Sequence, residues 1–220
     1  MKNKIEMILC DKDGTLVEYS VPPHFSSWDG LSLALSEEKQ KEWISIRDFY
    51  VSKIDLYDEW FSKQVKLLKG LPVSEAEKVL FPVPYSKGVK NFFGNLNGRY
   101  KKGIVSSGID IVAKKVLEEL NFDFFITNIL ETENGFFNGE GVNAVGLKGK
   151  AIAVEKVSND YGIPLEKICF IGDSFNDVSV FEIVGLPIAF KPKLKEVQKR
   201  AKYVIDDFTE LNKILEAYEY

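Results

Sequence analysis

The sequence of 220 residues predicts an α/β fold with a parallel sheet and a small helical domain inserted after the first strand. Two observations support this prediction. From about Ser86 onward, short apolar runs alternate with amphipathic stretches, the pattern of βαβ units. Between Leu16 and Pro84 that alternation stops, and only helical periodicity remains.

The first predicted strand ends in the pentapeptide DKDGT. The apolar run before Asp11 is typical of a buried strand, and Gly14 allows the chain to turn after it. Open α/β sheets bind ligands at the carboxyl ends of their strands. There, one of the carboxylates Asp11 and Asp13 can act as a nucleophile and the other can exchange protons. The same residues also suit an ordinary surface turn.

The insertion is predicted to be helical and to cover this strand end. Apolar residues recur there at intervals of three and four, which predicts one long helix or a bent pair that uses its aromatic residues for packing. They are Trp43, Ile46, Tyr50, Ile54, Tyr57, Phe61, Val65 and Leu68. Gly70 and Pro72 end the pattern, and Ser74 with Glu77 has the form of a capping box for a further short helix ending near Phe81. We therefore expect a core domain of residues 1–16 and 85–220 and a helical cap domain of residues 17–84.

The elements predicted after the insertion alternate between strand and helix. They are strand 102–106, a helix with an apolar face of Ile109, Val112, Val116 and Leu120, strand 124–127, a hairpin or loop at 131–141, helix 150–161, strand 168–171, helix 177–184 and strand 187–190.

Two further polar groups lie at the predicted starts of helices. Ser106, Ser107 and Gly108 follow a strand, and they suit either an anion site made of a hydroxyl and backbone N–H groups or an ordinary N-cap. Lys148 or Lys150 opens the next helix. A cation there opposes the helix dipole, which a bound phosphate with nearby carboxylates would explain, although a solvated surface lysine is as plausible.

The last group is GDSFND, which follows another buried strand. Asp173 and Asp177 could supply the oxygen ligands that Mg²⁺ prefers, with Asn176 beside them. Asp177 alone would also suit the first turn of a helix. Taken together, carboxylates, hydroxyls and a lysine at strand ends predict a Mg²⁺ and phosphoryl site.

Composition excludes several other classes of function. The net charge of −4 disfavours a nucleic-acid partner. No apolar stretch has the length of a membrane span, and the first residues lack the apolar region of a signal peptide, so a cytoplasmic protein is expected. The two cysteines, Cys10 and Cys169, are predicted to be buried strand residues. With His24 as the single histidine, neither a histidine-based zinc site nor a Ser-His-Asp triad is expected.

The chain resembles the haloacid dehalogenase (HAD) superfamily in four motifs that occur in the usual order. They are DKDGT, VSSG, the helix at Lys150 and GDSFND. The segments VKLLKGLPV and FFNGEG are similar to its phosphoserine-phosphatase-like branch. The resemblance implies a Rossmann-like core with a helical cap. It also implies a Mg²⁺-dependent phosphoric monoester hydrolase that works through an aspartyl-phosphate.

The resemblance also implies roles for single residues. Asp11 would attack the phosphoryl group, and Asp13 would protonate the leaving oxygen and later activate water. The other implied roles are phosphate binding by Ser106, Ser107 and Lys150, metal binding by Asp11, Asp173 and the backbone carbonyl of Asp13, and support by Gly14, Thr15, Gly108, Asn176 and Asp177. Lys150 is preferred to Lys148 because it aligns without a gap. Lys12 is expected to point to the opposite side of the strand end.

The cap departs from the pattern of phosphoserine phosphatases. The resemblance implies a glutamate shortly after the first motif, where this chain has Glu18 slightly early and Ser20 near the expected place. It also implies an arginine at the position of Gln64, and a neutral amide cannot replace bidentate recognition by a guanidinium. Arg47 is the nearest arginine in the sequence. A small phosphorylated metabolite other than phosphoserine is therefore the expected partner.

Two other functions stay open at this point. One is phosphotransfer to a sugar or alcohol, as in mutases of the same superfamily, and the other is a non-catalytic phosphate-binding scaffold. Either a monomer or a homodimer is expected, without nucleic-acid or membrane partners.

Overall fold

The computed structural model describes residues 4–19, 25–96 and 98–219. Within these ranges seven strands form one sheet in the order β4-β3-β2-β1-β5-β6-β7. The strands are β1 (Met7–Cys10), β2 (Lys101–Ile109), β3 (Phe124–Glu133), β4 (Phe136–Val142), β5 (Ile168–Gly172), β6 (Leu186–Phe190) and β7 (Tyr203–Ile205). Only β4 among them runs antiparallel to its neighbour. The predicted α/β fold with a Rossmann-like parallel sheet is confirmed.

Helices connect the strands and cover the sheet. They are α1 (Ser27–Leu31), α2 (Glu37–Tyr50), α3 (Tyr57–Leu67), α4 (Val73–Leu80), α5 (Val89–Gly94), α6 (Asp110–Leu120), α7 (Lys150–Tyr161), α8 (Val178–Phe181), α9 (Lys195–Arg200) and α10 (Leu211–Glu219). Helices α1 to α4 lie between β1 and β2 in the chain, inside the segment predicted to be a cap. The boundaries proposed for the two domains stay a prediction.

The structure decides between alternatives for two predicted elements and corrects two others. The long apolar stripe is a bent pair, since a 3₁₀ turn at Ile54–Leu56 separates α2 from α3. Helix α4 begins after Pro72, and its first N–H donates to the carbonyl of Gly135 at 2.9 Å, so no capping box forms at Ser74. Residues 131–141 are a hairpin, with both turn residues at positive φ. Ile109 ends β2 instead of belonging to α6.

The sheet is buried on both faces, which explains why β1 is apolar throughout. Ile8 and Cys10 contribute to a core that continues among the inserted helices through Trp43. Met7 and Leu9 point to the other face, into a core shared with α7, α8 and α9. This two-sided burial is typical of parallel strands.

Two predictions about composition can be checked in the described residues. Cys10 and Cys169 are both buried and unpaired, as expected of strand residues. Within the described ranges, no helix combines the length and the apolar character needed to span a membrane.

Candidate active site

A cavity of about 580 Å³ opens at the carboxyl ends of β1 and β5, next to the polar stretch near the end of β2. Asp11 and Asp13 line it from the turn after β1, Ser106 lines it from β2, and Asn176 lines it from the turn after β5. These strands are neighbours in the sheet, so their ends meet at one edge. The predicted strand-end residues therefore converge on one cavity.

The carboxylate of Asp11 lies at this edge of the sheet, and one of its oxygens contacts a cation without accepting a hydrogen bond. The residue is only 4% exposed. Nζ of Lys150 is 3.0 Å from Oδ1 of Asp11, but the contact lacks hydrogen-bond alignment, so this buried oxygen has no hydrogen-bond partner. Burial raises the pKa of Asp11 to about 6, opposed by Lys150 and the Ser106 hydroxyl and reinforced by Asp177.

Lys150 is fully buried at the start of α7, among side-chain oxygens. Its ammonium lies 2.5 Å from Oδ1 of Asp177 and 3.3 Å from Oδ1 of Asn176. Although burial opposes the charge, Asp11 and Asp177 raise the pKa of Lys150 well above its usual value. Lys148, in contrast, has a side chain that is 71% exposed and pairs with Asp55. The buried cation of this site is therefore Lys150.

Asp177 holds the turn after β5 in place. Its Oδ2 accepts hydrogen bonds from the N–H groups of Asp173 and Ser174, each at 3.0 Å, while its Oδ1 accepts from Lys150. A Cβ at Gly172 would lie only 2.5 Å from Oδ2 of Asp177, so this glycine permits the close approach. Both oxygens of Asp177 are engaged, which suits a supporting role.

Asp173 completes a cluster of three carboxylates. Its Oδ1 accepts a hydrogen bond from the Thr15 hydroxyl at 3.1 Å. One oxygen from each of Asp11, Asp173 and Asp177 lies within 4.8 Å of the others. Burial raises the pKa of Asp173 to about 8, and Asp11 and Asp177 reinforce the shift.

The donor set of this cluster fits Mg²⁺. Hard divalent cations prefer carboxylate oxygens, and three carboxylates are grouped here. Oδ1 of Asp11, one of the three residues, is buried without a hydrogen-bond partner. Burial is the main cause of the raised pKa values of Asp11 and Asp173, and a bound cation would relieve the repulsion between the carboxylates that adds to it. The turn also leaves room, because Gly14, at φ +83°, avoids placing a Cβ 2.5 Å from Oδ2 of Asp173.

The side chain of Asp13 lies outside the carboxylate cluster and is held by α1. Its Oδ1 accepts from the backbone N–H of Ser27 at 2.7 Å, and its Oδ2 accepts from the Ser27 hydroxyl at 2.9 Å and from Nζ of Lys12 at 2.7 Å. Lys12 is fully buried and also donates to the Ser27 hydroxyl.

The expectation that Lys12 points away was wrong. Strand β1 ends at Cys10, so the alternation of side chains along a strand does not extend to Lys12. Ser27 was missed because it meets Asp13 only through the tertiary fold. A local signal existed, since Ser26 and Asp29 form a cap at the start of α1.

The hydroxyl stretch of β2 is braced from the inserted helices. Ser106 is buried, and its Oγ accepts from the N–H of Gly108 at 3.2 Å. The carbonyl of Ser107 accepts from the Tyr57 hydroxyl at 3.0 Å and from the Asn128 amide at 2.9 Å. Tyr57 also lines the cavity, which corrects its assignment to helix packing alone. No local sequence signal identifies Tyr57 or Asn128 at this site.

The described substrate-specificity candidates, Glu18, Arg47 and Gln64, lie outside the cavity lining. Glu18 pairs with Lys191 at 2.8 Å. Arg47 lies 2.9 Å from Asp48. Gln64 is fully buried and accepts a hydrogen bond from the indole of Trp28. Ser20 lies outside the described residues.

Comparisons with known proteins agree on one family. A model of the haloacid dehalogenase-like hydrolases matches residues 109–217. The chain is 33% identical to a phosphoserine phosphatase of Methanocaldococcus jannaschii over 201 residues, covering 89% of this chain and 91% of the relative. It is 27% identical to a phosphoserine phosphatase of Streptococcus thermophilus, covering 96% and 94%. A solved structure of a phospho-aspartyl intermediate analogue of phosphoserine phosphatase superposes with a TM-score of 0.76 at 29% identity, covering 96% of this chain and 99% of that one.

Proposed function

Because the chain belongs to the haloacid dehalogenase-like hydrolases and is a phosphoric monoester hydrolase, we propose that it releases phosphate from a small phosphorylated metabolite through an aspartyl-phosphate on Asp11. One observation carries this proposal: Asp11 lines the cavity directly after β1, and its carboxylate lies 3.0 Å from the buried ammonium of Lys150. A carboxylate in this position can attack a bound phosphoryl group, and the adjacent cation compensates the charge of that group.

The proposed reaction has two steps. A carboxylate oxygen of Asp11 attacks phosphorus, the ester P–O bond breaks, and Asp13 gives its proton to the leaving alcohol oxygen. Asp13 then takes a proton from water, which attacks phosphorus and breaks the bond to Asp11. Inorganic phosphate leaves, and both carboxyl groups return to their starting states. The hydrogen bonds from Ser27 and Lys12 hold Asp13 in the cavity wall for both transfers.

Cations and hydroxyls beside Asp11 would bind the phosphoryl oxygens. Phosphoryl transfer depends mainly on positioning and on neutralising the charge of those oxygens. Lys150 supplies a buried positive charge 3.0 Å from Asp11, and the Ser106 hydroxyl lies at the end of the neighbouring strand. The N–H of Gly108 is already engaged by Ser106, so the N–H of Ser107 is the better candidate for a second contact.

Mg²⁺ is the proposed cofactor. The side chains of Asp11 and Asp173 and the backbone carbonyl of Asp13 would hold it, while Asn176 and Asp177 support the turn that carries Asp173. When bound, the ion neutralises phosphate charge and orients the phosphoryl group. Thr15 keeps one oxygen of Asp173 in a hydrogen bond, which fixes the direction of its carboxylate.

The decisive experiment is phosphate release from p-nitrophenyl phosphate and a panel of phosphorylated metabolites, with and without Mg²⁺. Asp11→Asn should lower the rate by several orders of magnitude and leave the circular dichroism spectrum unchanged. The matched control is Asp160→Asn, because Asp160 lies on the exposed side of α7, away from the cavity. Retained activity in Asp11→Asn would exclude Asp11 as the nucleophile. Transfer of label to an added alcohol instead of water would favour a phosphotransferase.

A further inference from the structure

The cavity is walled mainly by apolar and aromatic side chains beyond the phosphate site. They include Trp28, Val51, Tyr57, Trp60, Leu147 and Phe175. Val51 and Phe175 are each 59% exposed, one next to the inserted helices and the other in the turn after β5. Exposed apolar surface inside a concave site is stabilised when a ligand covers it.

The aromatic wall is held in place before any ligand binds. Trp28 donates its indole N–H to Gln64. Its ring stacks on Phe61 at 5.6 Å between ring centroids and packs against Trp43 at 5.4 Å. A wall that is already ordered loses little conformational freedom on binding. Gln64 therefore supports an aromatic contact surface instead of contacting the substrate.

In the described part of the chain, the charged side chains that line the cavity beyond Asp11 and Asp13 are held in ion pairs. Among the described lining residues, the charged side chains other than Asp11 and Asp13 are Lys148 and Glu182. Both are largely exposed and form ion pairs, Lys148 with Asp55 and Glu182 with Arg200. Exposed pairs of this kind hold a ligand weakly because water screens them.

We infer that the preferred substrate is a phosphomonoester of an alcohol that carries an apolar or aromatic group, rather than the ammonium and carboxylate of an amino acid. The inference rests on the proposed function, because it assigns the alcohol side of the same cavity. The phosphate would lie at Asp11 and Lys150, and the apolar group would cover Phe175 and Trp28.

Substrates with equally poor leaving groups test this inference. We expect kcat/KM for 2-phenylethyl phosphate to exceed that for O-phospho-L-serine by about tenfold or more, because only the phenyl group covers the apolar wall. Both release a primary alcohol, so the comparison isolates binding of the alcohol portion. Equal values, or a preference for phosphoserine, would overturn the inference. Failure to hydrolyse any substrate of the panel with Mg²⁺ would overturn the proposed function and the inference with it.

A variant of the cavity wall then tests whether Phe175 causes the preference for the phenyl substrate. Phe175→Ala should reduce the ratio of the two kcat/KM values by about tenfold, because it removes apolar contact area. The ratio does not depend on the fraction of folded enzyme, so a loss of folded protein alone leaves it unchanged. Phe49→Ala is the matched control, since Phe49 is 56% exposed and does not line the cavity. An unchanged ratio in Phe175→Ala, or an equal change in Phe49→Ala, would refute the assignment of this wall.

A different observation carries a second inference, which concerns Lys12. Its buried ammonium contacts both Oδ2 of Asp13 and the Ser27 hydroxyl, so three groups form a closed set of hydrogen bonds. A buried lysine needs such partners to remain charged. A Cβ at Gly108 would lie 2.7 Å from Nζ of Lys12 and 2.5 Å from Oδ2 of Asp13, so the pair is closely packed against the end of β2.

We further infer that Lys12 is a positioning residue that fixes the carboxyl group of Asp13 for proton transfer to the leaving oxygen. Protonation matters for a poor leaving group and little for a good one. Lys12→Met should therefore lower kcat/KM for 2-phenylethyl phosphate about tenfold more than for p-nitrophenyl phosphate. Ser27→Ala, a smaller change, should shift the ratio in the same direction. Equal losses on both substrates in these variants would show a merely structural role and refute the inference.

Discussion

The ammonium group of Lys150 is enclosed between two buried carboxylates, and Lys150→Met tests what it contributes there. Methionine keeps most of the apolar length of the side chain and removes the charge. The variant leaves Asp11 and Asp177 without the cation that now lies 3.0 Å and 2.5 Å from them. Removing one partner of a buried ion pair costs about 3–5 kcal/mol, because an uncompensated buried charge remains.

Equilibrium unfolding in urea, in buffer without Mg²⁺, measures this cost as a free energy of unfolding. In thermal unfolding of a protein of this size, each kcal/mol lowers the melting temperature by roughly 2–4 °C, so we expect the melting temperature to fall by about 6–20 °C. Lys148→Met is the matched control because Lys148 forms an exposed pair with Asp55. Such pairs contribute about 0–1 kcal/mol.

In activity assays, Lys150→Met should also lose about 100- to 1,000-fold in kcat, the typical effect of removing one group that stabilises transition-state charge.

The comparison of the two lysines can refute this reasoning directly. If the two variants lose the same free energy of unfolding, Lys150 does not compensate the buried carboxylates. If Lys148→Met loses the greater activity, the phosphate-binding lysine is Lys148, the alternative that the sequence leaves open.

Other expected outcomes follow from the site. In EDTA, the raised pKa values of Asp11 (about 6) and Asp173 (about 8) mean that the folded protein holds protons that the unfolded chain has released. The free energy of unfolding should therefore fall as pH rises from about 4 to about 8, and Mg²⁺ should restore part of it; a rise in EDTA over that range would contradict the shifts. Gly14→Ala places a Cβ at φ +83° and 2.5 Å from Oδ2 of Asp173, so calorimetry should find Mg²⁺ binding weakened by about tenfold or more, whereas unchanged binding would exclude this contact. Gln64→Leu removes the acceptor of the Trp28 indole and should lower the free energy of unfolding in urea by about 1–2 kcal/mol, and no loss would show that this hydrogen bond contributes nothing.

The fold could be predicted from the sequence wherever burial leaves a continuous signal. Strand β5 is buried at every position, and its apolar run is bounded by clear polar turns. Strand β7 was missed because it has only three residues at the sheet edge, with Val204 exposed. Short edge strands lack both the length and the burial that make a pattern. The start of α4 was misplaced because its first N–H bonds to Gly135, a contact far away in the chain.

The candidate site was predictable in the parts that lie next to each other in sequence. DKDGT and GDSFND bring their carboxylates to neighbouring strand ends because β1 pairs with β5. The partners of Asp13 were not predictable in this way. Ser27 lies 14 residues along the chain from Asp13. The same holds for Tyr57 and Asn128, which contact each other and the carbonyl of Ser107 but are 71 residues apart. Lys12 was assigned the wrong direction because strand alternation was extended past the end of β1.

The phosphate end and the apolar end of the cavity are built from different parts of the fold. The residues proposed to contact the phosphoryl group lie at strand ends of the core and at the start of α7, so the packing of the core fixes their spacing. The apolar wall of the cavity comes largely from the inserted segment, where a substitution at one residue alters the packing and hydrogen bonds of its neighbours. Gln64 shows this: its amide supports Trp28 inside the helical packing and lies outside the cavity lining. Gln64 contacts the indole of Trp28 and the carbonyl of Trp43, so Gln64→Arg alone would bury a guanidinium without a carboxylate among these partners, which is costly. Trp28 both lines the cavity and donates to Gln64, so we expect recognition of an amino acid by an arginine at this position to require a change at Trp28 as well.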